Sequence, residues 1–326
     1  MLVHHYHQAE AEREEQRYAG LAGEQAARRF ANEDALRHLS RALELAPPTE
    51  VEARYALLLK REEVYDVLGE RAAQAQDLAA LAQLVAAQGD SRKRAAVALR
   101  QALYARATDD YPAALAAAQQ AVQLARQCGD VLLETQGLHA WGRILGQQGE
   151  FAASRERLEE ALALARQSGN RQEEARSLYD LGTTLYDESD YAGARACYEQ
   201  AQRLYQELND RPGLARCALM FGALHDQLGQ YVAAQKLYRQ ALTESRAIGW
   251  RYSEAFALNG LGSNAFELGD YHAAQGYHEQ ALDIRREVGH REGVALSLDT
   301  LGLIHTMLCL LYTSDAADDL LCVDLG

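Results

Sequence analysis

The chain has 326 residues, 48% of them hydrophobic, with 4 prolines and a formal net charge of −14 from 33 Lys and Arg against 47 Asp and Glu. That balance disfavours a nucleic-acid backbone as partner, which calls for a basic patch or stripe, and Arg92-Lys93-Arg94 is short enough to be a solvated helix end. No run approaches the ~18 apolar residues of a membrane span, no signal-peptide core opens the chain, and no alternating β-branched run is present; the expectation is an all-α, cytoplasmic chain without membrane contact.

Residues 1–23 read as a leading helix carrying His4, His5 and His7. His4 and His5 are adjacent and point to different helix faces, so surface histidines are expected there rather than metal ligands. From about residue 24 a repeat begins: Phe30 to Leu45 reads as a helix that Pro47-Pro48 stops, and Gly69 and Gly89 lie in phase with a stronger signal downstream.

That signal is a 40-residue period between residues 111 and 308. Tyr111, Phe151, Tyr191, Tyr231 and Tyr271 keep the step, as do Ala121, Ala161, Ala201, Ala241 and Ala281. The pairs Trp141-Gly142, Leu181-Gly182, Phe221-Gly222, Leu261-Gly262 and Leu301-Gly302 and the turn series Gly129, Gly169, Asn209, Gly249 and Gly289 follow it too. Inside one repeat, Leu178, Leu181, Gly182 and Leu185, then Ala194, Tyr198 and Ala201, carry helical spacing on either side of a polar break at Asp187-Glu188-Ser189-Asp190. Each repeat therefore predicts a helix hairpin, with turns at Gly149, Ser189, Gly229 and Gly269 and about seven hairpins over residues 24–308, the last incomplete. The recurring glycine costs about 1 kcal/mol in a helix interior, so close helix packing must offset it.

Several local patterns give no chemistry. Gly260-Leu261-Gly262-Ser263-Asn264-Ala265 has the form of a dinucleotide loop but falls inside a predicted helix rather than after a strand. His278-Glu279 opens like a zinc-protease motif, yet position 282 is Leu. Cys128, Cys197 and Cys217 form no C-x-x-C pair, and Cys197 and Cys217 read as buried small hydrophobes. With no P-loop or G-x-S-x-G either, no catalytic residue, cofactor or metal is assigned, and the chain is expected not to be an enzyme.

Residues 309–326 break the pattern: Leu311 and Leu321 stand where the aromatic and the alanine would fall. The stretch resembles the translation of a transposon-end sequencing adapter and is expected to be a non-native tail on a truncated gene. Without its four Asp the rest carries −10, and the final helix, about residues 291–307, is expected to lack the partner that would cover its apolar side.

The columns resemble the tetratricopeptide repeat family, whose usual unit is about 34 residues; a longer-helix variant is implied, folded as a right-handed α-solenoid of helix hairpins. The resemblance places first helices on the inner, concave side and implies a protein or peptide as partner. By matching columns, the candidate binding residues are Arg143, Arg176, Tyr179, Tyr186, Asp187, Arg216, Asp226, Asn259 and Phe266, with Gln136, His139, Gln147, Thr183, Leu219, Gln227, Phe256, Ser263 and Glu267 beside them. The run His4-His5-Tyr6, Ala22 to Ala27 and Phe30 to Leu36 is similar to the approach to the repeats in large bacterial signalling ATPases. A sensor or interaction segment of such a protein or of a transcriptional regulator is one expectation, and a free-standing adaptor joining two proteins the other.

Overall fold

The computed structural model describes residues 12–29 and 31–323; His4, His5, His7 and Phe30 lie outside the described residues. Among these there are helices and no strand. In chain order they are α1 (Glu12–Arg28), α2 (Asn32–Leu45), α3 (Val51–Leu68), α4 (Arg71–Gln88), α5 (Ser91–Ala107), α6 (Tyr111–Cys128), α7 (Val131–Gln147), α8 (Phe151–Gln167), α9 (Arg171–Asp187), α10 (Tyr191–Glu207), α11 (Arg211–Gln227), α12 (Tyr231–Ala247), α13 (Arg251–Glu267), α14 (Tyr271–Glu287) and α15 (Arg291–Val323). Two compact units divide between Cys197 and Tyr198, within α10. Odd-numbered helices open the hairpins and even-numbered ones close them.

The hairpins follow from a turn that recurs every 20 residues. Gly69, Gly89, Asp109, Gly129, Gly149, Gly169, Ser189, Asn209, Gly229, Gly249, Gly269 and Gly289 all have positive φ, so the four expected turns sit where the sequence put them. Glycine adopts this conformation without steric cost, and Asp and Asn tolerate it better than most residues. The residue after each then closes one helix and starts the next. The Asp270 backbone N–H donates to the Ala265 carbonyl at 2.9 Å, while its carboxylate accepts from the Ala273 N–H at 3.0 Å. Asp190 does the same with Leu185 at 2.8 Å and Gly193 at 2.9 Å. Asp270→Ala should therefore cost about 1 kcal/mol; an unchanged urea midpoint would show that the cap contributes nothing.

In three of the hairpins a glycine on the first helix receives a large residue from the second. A Cβ built on Gly142 of α7 would lie 2.7 Å from Leu158 of α8, one on Gly222 of α11 2.7 Å from Tyr238 of α12, and one on Gly262 of α13 2.7 Å from His278 of α14. The second helices are equally flat on either side of that large residue: Ser154 and Ala161, Ala194 and Ala201, Ala234 and Ala241, and Ala274 and Ala281 are all fully buried. Gly260, half of the apparent dinucleotide loop, packs on the same Tyr238 ring; both glycines of that motif are thus accounted for inside α13. His278 is fully buried, and burial, with Arg285 nearby, pushes its imidazole down to about 4.

α15 departs from the expected end near residue 307 and runs without interruption to Val323. Neither glycine nor proline occurs between positions 303 and 323, so nothing there stops a helix once it is under way. Leu301 and Ile304 bury one side of it, Ile304 against Ala265 and Ala274.

Candidate functional site: the exposed residues of the first helices

In the first unit the candidate face lies on α7 and α9, and its centre is more buried than the columns suggest. His139 has no exposed surface; its Nε2 lies 2.7 Å from the Ser177 Oγ. Its Nδ1 sits 3.6 Å from an Asp180 carboxylate oxygen and 3.8 Å from one of Glu173. Gln136 donates to the other Glu173 oxygen at 2.9 Å, and the half-exposed Arg143 guanidinium is 3.9 Å from Asp180. His139 thus joins two first helices instead of offering itself to a partner. Ser177, although beside an imidazole and a carboxylate, is itself fully buried and donates to the Glu173 carbonyl at 2.8 Å, which leaves no approach for a substrate. Arg176, Tyr179 and Tyr186 are half-buried and Asp187 is exposed; the Tyr186 ring packs on Tyr191 with centroids 5.4 Å apart.

In the second unit the face is carried by α11 and α13. The Arg216 guanidinium lies 5.8 Å from the centre of the Tyr205 ring and 5.7 Å from that of Trp250, a cation–π arrangement that fixes its direction. Asp226 accepts from the Tyr238 hydroxyl at 2.6 Å and from the Asn264 amide at 2.7 Å. Burial raises its carboxyl above the usual range, and those two hydrogen bonds oppose the rise. It is committed to tying α11 to α12 and α13. Asn259 is half-buried, its Oδ1 without a hydrogen bond among the described residues, and Phe266 meets Tyr271 edge to face at 5.3 Å.

The most open aromatic surface lies beside these residues. Tyr252 and Phe256, one turn apart on α13, are 44% and 41% exposed with ring centroids 5.0 Å apart, and His290 completes the group at 5.1 Å from Tyr252. Beneath Phe256 the Arg285 guanidinium, 5.8 Å from the ring centre, is buried and donates to the Gly293 carbonyl at 3.0 Å and the Ser297 hydroxyl at 2.6 Å. Desolvation holds its pKa below the ordinary arginine value. Phe256 was in the column set, but Tyr252, Asp180 and Arg285 were missed. The available signal was an oddity of column: Asp180 stands where Ala140, Met220 and Gly260 stand in the other repeats.

The sequence profile described as the tetratricopeptide repeat matches residues 133–207, 173–243 and 253–309, together more than half of the chain. The chain belongs to the tetratricopeptide repeat family. Among curated proteins no sequence matches it. Its fold is similar to the apo form of RapI, with 14% identity, a TM-score of 0.65, and coverage of 84% of this chain and 99% of that one. It is also similar to the Rap conjugation gene regulator of the plasmid pLS20 in complex with the Phr* peptide, with 13% identity, a TM-score of 0.71, and coverage of 86% and 76%. A third likeness is to aspartyl phosphate phosphatase F from Bacillus subtilis, with 13% identity, a TM-score of 0.55, and coverage of 82% and 75%. At these identities the likeness is one of fold. Among the described residues no tetratricopeptide helix is long and apolar enough to cross a membrane, and no cluster of His, Cys, Asp and Glu suits a metal ion.

Proposed function

We propose that this chain is a protein- or peptide-binding scaffold that uses the solvent-exposed residues of its first helices, and that it catalyses no reaction of its own. The observation that carries the reading is the exposed Tyr252–Phe256 pair on α13. Two large rings left open to solvent, one turn apart on a single helix and near the buried Arg285 charge, are the kind of surface a partner's apolar side chain covers. Asn259, half-buried on the same helix, supplies a polar contact that gives such a partner direction. A regulator of similar fold in complex with a peptide is consistent with this use of the face; the likeness to a phosphatase carries the fold and not that activity.

In this reading the partner is a protein or an extended peptide, not a nucleic acid, and the chain works in the cytoplasm of a bacterium as the sensor segment of a larger signalling ATPase or transcriptional regulator. A free-standing adaptor is the alternative, and the genomic flanks separate the two: an in-frame P-loop module upstream supports the first. For the face itself, a displayed peptide library selected against the full chain should yield binders that Phe256→Ala weakens tenfold or more. Gln200→Ala, on the exposed side of a second helix, should leave them unchanged. Binders indifferent to Phe256→Ala and Arg143→Ala alike would overturn the assignment.

A further inference from the structure

The opening helices of successive repeats provide an internal comparison for α15. Leu138 is 0% exposed and Leu258 is 1% exposed, yet Leu298 in the same column is 48% exposed. Ala175, Ala215 and Ala255 are buried, and Ala295 is exposed. Gly142, Gly222 and Gly262 each have a large side chain pressed against them, whereas a Cβ on Gly302 would meet nothing within 4 Å. One face of α15, at 295, 298, 302 and 305, therefore has the chemistry of a helix-packing face and no helix on it among the described residues. Among the described residues none turns back to cover it, since α15 continues as one helix to Val323.

We propose that this face docks an α-helix of another protein, one that carries a small residue, a bulky residue four positions on, and a second small residue three further. That pattern is the one this chain uses four times for the same purpose: Ser154, Leu158 and Ala161; Ala194, Tyr198 and Ala201; Ala234, Tyr238 and Ala241; Ala274, His278 and Ala281. The bulky residue fills the glycine slot, and the small ones let the backbones approach. The α15 face continues the hairpin interface just built between α13 and α14, where Leu258 and Leu261 pack with Ala281 and Ile284. A second copy of the chain is a poor occupant. The small residues of its own pattern are already buried against their hairpin partners.

The test uses the full chain and a fluorescein-labelled peptide with the sequence of residues 231–247, stapled on its exposed side to hold it helical, read by anisotropy. Saturable binding that Gly302→Phe in the chain and Tyr238→Asp in the peptide each weaken at least tenfold is the expected result. Gly302→Phe has open space around it and replaces a helical glycine, so equal helicity of the variant by circular dichroism is expected. No binding, or binding that Gly302→Phe leaves unchanged, would overturn the proposal. So would a dimer of the chain alone, by light scattering, that Gly302→Phe dissolves, since the occupant would then be a second copy. Neither variant touches Tyr252, Phe256 or Arg143, so this outcome and that of the scaffold reading are separable.

Discussion

Gly222→Leu is expected to lower the stability of the second unit by about 3 kcal/mol, at the upper end of what overpacking costs. The Tyr238 ring lies between Gly222 and Gly260, so it cannot retreat from one without striking the other. Its hydroxyl is also fixed on Asp226 at 2.6 Å, so moving the ring breaks a hydrogen bond as well. Replacing a helix-interior glycine would by itself stabilise by up to about 1 kcal/mol, which makes the sign of the result informative. Urea unfolding of the single variants and of Gly222→Leu with Tyr238→Ala checks it. The double variant should lose less than the sum, because removing the ring makes room for the leucine. Additive losses would mean that the two residues do not share a site.

The second large effect is a pH dependence carried by His278. Its imidazole is pushed down to about 4 in the fold against roughly 6.5 in an unfolded chain. The folded state thus favours the neutral ring. The associated stability is fully present above about pH 6.5, diminishes as pH falls through that value, and is spent near the folded pKa. The linkage corresponds to on the order of 3 kcal/mol. His278→Leu should flatten the stability profile between about pH 7 and 4 relative to the parent chain. Leucine suits the site, since Leu158 occupies the same column against Gly142 in an earlier hairpin. Parallel profiles for the two proteins would place the acid sensitivity elsewhere.

What the sequence disclosed is tied to what repeats. The glycine after the large apolar residue and the small residues of the second helices were legible because their packing role recurs every 40 residues. Even non-glycine turn residues such as Ser189 and Asn209 could be placed by phase alone before their positive φ was seen. Features that occur once were not legible. The contact of His139 with Asp180 and Glu173 joins residues 34 to 41 positions apart on different helices, and no period announces it. The same holds for Arg285, which reads as an ordinary last-turn cation yet lies buried beneath Phe256. Within the candidate face, its most buried member, His139, and its internally bonded one, Asp226, were therefore grouped with residues that remain open. The length of α15 was misjudged for another reason: an interrupted repeat was taken to interrupt the helix, although helix continuation needs only the absence of breakers.

The claim that the first helices carry the binding face is tested most directly by photo-crosslinking. A peptide selected against the full chain, carrying one benzoylphenylalanine in place of an apolar residue, would be irradiated in complex and its attachment sites read by mass spectrometry. Attachment within α7, α9, α11 or α13, centred on residues such as Tyr179, Tyr252 and Phe256, is the predicted result. Attachment confined to α8, α10, α12 and α14 would contradict it, and with it the reading of this tetratricopeptide chain as a scaffold that binds through its opening helices.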